Sequence, residues 1–441
     1  MKRFSVRNCF NKDSKRLTAL KPEQRSLRGV EARFPEKWMS RKLDLRTGRP
    51  VWSAYRAPAV PTDSLIRDVK ADVLIIGMGI SGAMMAEALT SDGHSVICID
   101  RRGPLKGSTP ATTALVQFEI DQPLSTLSKM VGKTKAQQAW RRSRLAVTNL
   151  AGRIAELGIN CSPSRTQSLY LAGNVLGPSE LREEADARRQ AGIKATYLMP
   201  APLAERYGVD RDGAILSHDN IALDPRKLTA GLLIKALERK ARFYAPVEAT
   251  AIKDGADEII VSTKDGPTIT ARHVVLATGY ELVDIVPAAA HQVISTWAIA
   301  TRPQLRKIWP EAAFIWEASD PYLYMRATAD GRVICGGEDE DFVDEARRDA
   351  LIADKSARIA EKLSQLFPHL DVRPEFAWTG SFGTTTTGLP YIGAVPRHPR
   401  IHAVMGYGGN GITFSQIASE IIPASIKGLA DTDAELFAFN R

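Results

Sequence analysis

Cysteine is scarce in this chain. It holds four in 441 residues, Cys9, Cys98, Cys161 and Cys335, far apart and with no CxxC pair or His/Cys cluster. That excludes a disulfide framework and gives no metal site, zinc included; it fits a reducing compartment, the cytoplasm. Each cysteine reads as a small apolar filler. No apolar run approaches the length of a membrane span, so no transmembrane segment is expected. Tandem repeats and low-complexity tracts are lacking as well. The first 38 residues have neither the apolar core of a secretory signal nor a hydrophobic period.

Charge is uneven. The net formal charge is +9, yet residues 1–70 carry 18 Lys/Arg against 7 Asp/Glu, a surplus of 11. The remaining 371 residues therefore hold a net −2, and this near-neutral body excludes the basic face of a nucleic-acid-binding domain. Residues 1–38 are expected to be a dispensable basic arm, with three readings open: disordered, laid on the surface, or translated from upstream of a start at Met39. Acidic residues within it (Asp13, Glu23, Glu31, Glu36) argue against an organelle-transit role. In residues 44–61, Trp52 and Tyr55 are large groups expected to pack on the body. A chain this long calls for two domains rather than one core.

What is present is concentrated at residues 71–100. An apolar run at 71–76 reads as a central parallel strand. Gly77-x-Gly79-x-x-Gly82 follows, then helical spacing over 81–91, a second apolar run at 96–99, and Asp100, 21 positions after Gly79. Strand, glycine turn, helix, strand and acid together form a dinucleotide fingerprint. Gly77 permits the tight turn, Gly79 lets a pyrophosphate approach the backbone, and Gly82 lets the helix pack close to the strand. The intervening Met78, Ile80 and Ser81 open the helix, whose N-terminal N–H groups and dipole suit phosphate. Asp100 would accept from ribose hydroxyls, with Arg101 beside it. The alternative is a glycine-rich turn in an ordinary α/β unit.

Further along, helices are expected at 133–157, 181–190, 227–240 and 344–366. Strands are expected at 242–244, 249–252, 258–262, 268–270, 272–277, 292–301, 322–327 and 332–335, with Asp-Gly turns at 254–255, 265–266 and 330–331. Glycine returns at 406–411, four in six positions, before a helix at 412–422. Nucleotide-site features thus occur early, in the middle (Ala277-Thr278-Gly279) and at the end. The expected fold class is α/β, α+β overall. A discontinuous Rossmann-like nucleotide domain (39–120, 215–285 and 375–441) carries an inserted antiparallel-sheet substrate domain (121–214 and 286–374).

With these pieces in order, residues 65–425 resemble the D-amino-acid oxidase-like family of FAD-dependent oxidoreductases, the group of glycine oxidase, sarcosine oxidase and gamma-glutamylputrescine oxidase. The resemblance rests on Gly77–Gly82 with Asp100, on Gly107-Ser108-Thr109 with Thr112 and Thr113, on Ala277-Thr278-Gly279, on Gly336-Gly337-Glu338, on Gly388-Leu389-Pro390-Tyr391-Ile392-Gly393 and on Gly406–Thr413. It implies bound FAD. Gly77–Gly82 and Asp100 would hold its ADP half; Ser108, Thr109 and Thr112 would serve the phosphate and flavin region. Val247 would offer its backbone to adenine, and Gly408, Gly409, Asn410, Gly411, Ile412 and Thr413 would lie beside the flavin ring, where a helix N-terminus stabilises negative charge. Family members with a covalent flavin use a cysteine near this C-terminal stretch; none lies after Gly336, so a noncovalent cofactor is expected.

The chemistry so implied is oxidation of a C–N bond. A neutral amine passes a hydride to the flavin, and water hydrolyses the resulting imine. Acid–base residues are not obligatory. Amino-acid oxidising members commonly place an arginine just after Trp-x-Gly, where its fork clamps a carboxylate. Here Trp378-Thr379-Gly380-Ser381-Phe382 puts Phe382 at that place, which favours an amine or N-substituted amino compound. Arg326, sharing period-2 spacing with Tyr322 and Tyr324, could restore a clamp, or the three could line a solvated sheet face. Three alternatives stay open: a D-amino-acid dehydrogenase or oxidase acting on free amino acids, an NAD(P)-dependent dehydrogenase, and a flavoprotein subunit without turnover. The electron acceptor would be oxygen, a quinone or another carrier; the oligomeric state is left unassigned.

Overall fold

The computed structural model describes residues 42–287 and 291–441, so the basic arm expected at 1–38 lies outside the described residues. Two sheets organise the described chain. The first has eight strands, ordered Tyr391–Val395, His398–Met405, Thr268–Leu276, Val69–Ile76, Val96–Ile99 and Arg242–Tyr244, with Ile259–Thr263 and Ala249–Asp254 branching from Thr268–Leu276. Its central strands run parallel. They are apolar on both faces because helices cover one side and the branch strands the other: Val73, Leu74 and Ile75 are fully buried. Register sets the site. Ile76 stands opposite both Leu276 and Ile99, so three strands end level. Gly77, Ala277 and Asp100 therefore emerge together at the carboxyl edge, where open α/β sheets bind ligands.

The expected boundaries shift in physically readable ways. The helix after the glycine turn spans Ile80–Ser91, and its one buried acid, Glu87, is neutralised by Arg153 and Arg239 from neighbouring segments. The helix expected at 181–190 begins at Pro178, since proline at the first turn loses no hydrogen bond. The expected strands at 268–270 and 272–277 are one, Thr268–Leu276. The helix expected at 344–366 is two, Glu345–Ala350 and Ile352–Leu366, meeting at Leu351. The last helix runs Gly411–Ile426, carrying Pro423 in its final turn, where little of the hydrogen-bond ladder remains to break.

The second sheet has ten strands, ordered Arg46–Gly48, Pro374–Thr385, His291–Thr301, Val333–Glu340, Leu323–Ala327, Phe314–Glu317, Ser164–Leu171, Ala214–Ala222 and Leu115–Val116, with Ala195–Leu198 against Ala214–Ala222. All its pairs are antiparallel except Phe314–Glu317 with Ser164–Leu171. This corrects the expected domain limits. The segments 46–48, 115–116, 215–222 and 375–385, placed by sequence in the nucleotide domain, are strands of the other sheet. The reason is pairing: His291–Thr301 runs beside 374–385 along its whole length, and Ser164–Leu171 pairs with Ala214–Ala222. Trp52 is buried, and its indole N–H donates to Thr112 O at 2.6 Å. Among the described residues no helix is long and apolar enough to cross a membrane.

Candidate cofactor and substrate cavity

A single cavity runs from the carboxyl edge of the parallel strands to the face of the ten-stranded sheet. It is lined by Gly77, Gly79, Ile80, Ser81, Asp100, Arg101, Ser108, Thr109, Thr112, Thr113, Val247, Ala277, Thr278 and Gly279 at one end, and by Gly408, Gly409, Asn410, Gly411 and Ile412 further in. Tyr322, Tyr324 and Phe382 line its far end. Four expected site residues do not line it. Met78 is buried and donates its backbone N–H to Asp100 Oδ2 at 2.8 Å. Gly82 is packed away: a Cβ there would stand 1.9 Å from Gly77 O, the close helix–strand approach read from the motif. Thr413 turns its hydroxyl to Gln117 O at 2.8 Å.

Arg326 is the fourth and the one that matters for substrate. Its Nη1 donates to Ala114 O at 2.6 Å and Leu223 O at 3.1 Å, and its Nε to Ala327 O at 3.3 Å. Burial lowers its pKa to about 10. Its guanidinium thus ties backbone segments together; it is 3% exposed and outside the cavity lining, so neither open reading, a carboxylate clamp or a solvated sheet face, describes it. Period-2 spacing does put Tyr324 and Arg326 on one face, but the cavity ends between them.

At the nucleotide end each fingerprint residue has a local cause. Gly77 has φ +114°, and a Cβ would meet Ala277 O at 2.3 Å. At Gly79 a Cβ would meet only Thr109 Oγ1, at 3.1 Å, leaving the wall beside it open. Thr109 Oγ1 accepts from Ile80 N at 3.0 Å and so caps the helix from a neighbouring loop. Asp100 is held by Met78, Arg102 N (2.7 Å) and Gly103 N (2.9 Å), which fix its carboxylate at the strand end. Val247 N donates to Asp100 O at 3.0 Å. Arg101 and Arg102 both pair with Glu281, Arg102 Nη1 at 2.8 Å. Ser81 joins Tyr407 Oη (3.1 Å) and Ser415 Oγ (2.8 Å), locking the first helix to the last.

The far end holds groups that the motifs alone did not reveal. Asp121 faces the cavity, and its Oδ2 accepts from Gly409 N at 2.7 Å. Its side chain is open to the cavity, yet the protein around it desolvates the carboxylate and raises its pKa, against the stabilising pull of that N–H. Gly408, at φ +53°, leaves the space: a Cβ would stand 2.3 Å from Asp121 Oδ2. Gln117 also lines the cavity, and its Oε1 is buried without a partner. Trp316 stacks on Tyr170 with centroids 3.8 Å apart. Tyr322 and Tyr324 lie with ring centroids 5.5 Å apart. Tyr322 donates to Asp339 Oδ2 at 2.9 Å, and Tyr324 Oη lies 3.4 Å from Thr296 Oγ1. Burial lifts both phenols well above their ordinary range, so they stay protonated. A signal was legible for part of this: Gln117, Glu119 and Asp121 alternate with apolar Val116, Phe118 and Ile120.

Helix N–H groups beside an open glycine wall, hydroxyls of Ser108, Thr109 and Thr112, and an acid at the second strand end are a donor and acceptor set that fits FAD. Such a site on such a fold defines a flavin-dependent oxidoreductase. The comparisons agree. The family described as DAO, FAD dependent oxidoreductase, matches residues 72–423, and the chain belongs to it. Among relatives, gamma-glutamylputrescine oxidoreductase of Escherichia coli (strain K12) is 26% identical over 399 residues, covering 87% of this chain and 90% of the relative. A probable oxidoreductase, OrdL, of Rhizobium meliloti (strain 1021) is 24% identical over 371 residues, 80% of this chain and 82% of the relative. Among solved structures, L-proline dehydrogenase from P. horikoshii superposes with TM-score 0.71 at 18% identity, covering 84% of this chain and 97% of that one. Glycine oxidase from Geobacillus kaustophilus gives 0.68 at 19%, covering 84% and 99%. The protein is therefore an FAD-dependent enzyme, and the NAD(P)-dependent and non-catalytic alternatives fall away.

Proposed function

We propose that this enzyme oxidises the C–N bond of an amine or N-substituted amino compound, with noncovalently bound FAD. One observation carries the reading. Among the described residues lining the cavity, the only cationic side chains are Arg101 and Arg102, both neutralised by Glu281 at the nucleotide end. The far end offers Phe382, Tyr322, Tyr324 and Trp316, and no arginine for a carboxylate. A carboxylate buried there unpaired would cost several kcal/mol, on the order of the penalty for a lone buried ion.

The chain's residues divide the work. The first turn at Ile80–Ser81, with Thr109 and Ser108, would hold the pyrophosphate. Asp100 would meet the ribose. Gly408–Ile412 would present the N-terminus of the last helix to the ring, stabilising negative charge there. Bound FAD supplies the hydride acceptor. Phe382, Tyr322 and Tyr324 would position the amine and exclude water. Tyr322, its proton committed to Asp339, keeps lone pairs free to accept from a substrate N–H. Cys98, Cys161 and Cys335 are free, buried and outside the cavity lining, which supports both a noncovalent flavin and a reducing compartment such as the cytoplasm. The acceptor that reoxidises the enzyme would be oxygen, a quinone or another carrier. The test is an anaerobic screen of amines and amino acids for loss of flavin absorbance, followed by admission of oxygen. Bleaching by amines is the expected result; bleaching by free amino acids alone would overturn the reading.

A further inference from the structure

We propose that Asp121 is a specificity-determining carboxylate that receives a second, cationic nitrogen, making the preferred substrate a diamine-type compound. The inference rests on the amine reading above and adds to it the charge at the end of the substrate that does not react.

Asp121 is an acid without a basic partner. It lines the cavity, and among the described residues its single hydrogen bond comes from the uncharged Gly409 N–H at 2.7 Å, with none at Oδ1. The cations behind the far end are occupied elsewhere; Arg188, over the Tyr170 ring that stacks on Trp316, pairs with Glu184 at 2.8 Å. Arg326 serves backbone carbonyls. Arg348, behind the cavity residue Ser381, is fully buried and held by Asp349 and by Asp44 O at 2.7 Å. Lys355 is bound to Glu340 at 2.7 Å and to Glu338 O at 2.9 Å. Among the described residues, no protein cation therefore neutralises Asp121.

Two independent features mark the same end as a site for a donor. Gln117 Oε1, at the cavity wall, is buried without a hydrogen-bond partner. Gln117 as a whole is only 8% exposed, and among the described residues no protein donor serves its Oε1. The second feature is aromatic. Tyr322, Tyr324 and Trp316 line the same cavity, and aromatic rings attract ammonium groups. A carboxylate, an unpaired amide oxygen and three aromatic rings match an alkylammonium. A neutral tail would leave the carboxylate and the amide without a partner, and an anionic tail would be repelled. The glycine turn at 408–409 is shaped around this acid, since a Cβ at either position would press on its oxygens at 2.3 and 2.9 Å.

The experiment uses the full-length holoenzyme and a charge series on one chain length: α,ω-diaminoalkanes, n-alkylamines and ω-amino acids of three to six carbons, each as the primary and N-methyl amine. Anaerobic flavin reduction gives a rate and an apparent Kd, and calorimetric titration gives binding without turnover. The expected order of affinity is diamine over monoamine over amino acid, with about ten- to a hundredfold between diamine and monoamine, the range of a charge-assisted hydrogen bond. Asp121→Asn, read as the ratio of diamine to monoamine affinity in flavin-loaded enzyme, should erase that gap, and Asp121→Glu should restore part of it. Indifference of the wild-type enzyme to the second nitrogen overturns the proposal without any variant. So does an Asp121→Asn enzyme that keeps its diamine preference, or one that loses flavin while the wild type shows no preference. If no amine of any charge reduces the flavin, the amine reading itself has failed, an outcome distinct from reduction by all three classes alike.

Discussion

Tyr322 donates its hydroxyl to Asp339 Oδ2 at 2.9 Å, while the other carboxylate oxygen of Asp339 is buried without a partner. The tyrosine lines the cavity and the aspartate holds its hydroxyl, so a titrating acid is bonded to a cavity-lining side chain. Burial raises the Asp339 pKa from 3.8 to about 6.

That shift fixes a sign. The folded state binds this proton more tightly than the unfolded chain, so the contribution is complete below pH 3.8 and is lost as pH rises through about 6. Asp339→Asn keeps the neutral form at every pH. Its Tm relative to wild type should therefore rise between about pH 4 and 6 and stay level above, for a total of roughly 3 kcal/mol. A difference in Tm that is flat across this window, or that falls, would contradict the assignment.

The glycine fingerprint separates into two kinds of position, and two substitutions test it. Gly82→Ala places a Cβ 1.9 Å from Gly77 O, against backbone that has little room to retreat. It should destabilise the fold by about 1–3 kcal/mol or more, as overpacking does. At Gly79 a Cβ meets only the Thr109 hydroxyl, and the residue lines the cavity, so Gly79→Val adds its bulk there. It should fold with a near wild-type far-ultraviolet spectrum and purify without colour. A yellow Gly79→Val protein would move the pyrophosphate away from this turn.

The contrast between these sites and Asp121 shows where sequence information was local. Gly77 to Asp100 is one strand–helix–strand unit, so its spacing encodes its geometry. The last helix is likewise announced by the glycines in front of it. The ten-stranded sheet is assembled from segments as far apart as Arg46–Gly48 and Pro374–Thr385. The latter is rich in Thr, Ser and Gly and shows no alternation of its own; its register comes from His291–Thr301. Asp121 ends a polar–apolar alternation that was visible, but only the fold brings it to Gly409. Arg326 fails for the reverse reason. Its spacing places it on the right face, and long-range carbonyls from Ala114 and Leu223 claim its charge.

Arg326→Met tests that arrangement. It keeps much of the aliphatic stem and takes the donor from three carbonyls, those of Ala114 and Leu223 and, at the longest distance, Ala327. The expected cost is roughly 2–6 kcal/mol, at 1–3 kcal/mol for each of the Ala114 and Leu223 carbonyls, seen as a drop in Tm of several degrees. The KM for the best amine should stay within about twofold of wild type, the mark of a structural residue. A steep rise in KM at unchanged Tm would return Arg326 to the substrate.

Phe382 is the position at which the proposed substrate class can be tested by adding a charge. It lies opposite Ile294 on the Pro374–Thr385 strand and lines the cavity. Phe382→Arg brings a guanidinium to the far end, where a carboxylate-bearing substrate would find a bidentate partner. In a cavity that still contains Asp121, the new cation would pair with that acid and gain little. Phe382→Arg alone should therefore weaken diamine turnover, by competing for Asp121, while raising amino-acid turnover only slightly. The double variant Phe382→Arg/Asp121→Asn frees the guanidinium. It should raise kcat/KM for amino acids over monoamines by about tenfold or more. Phe382→Leu, which removes the ring without adding charge, should keep the amine preference. If the double variant discriminates no better than the single one, Asp121 and residue 382 do not share a binding space, and the far end is not one charged pocket.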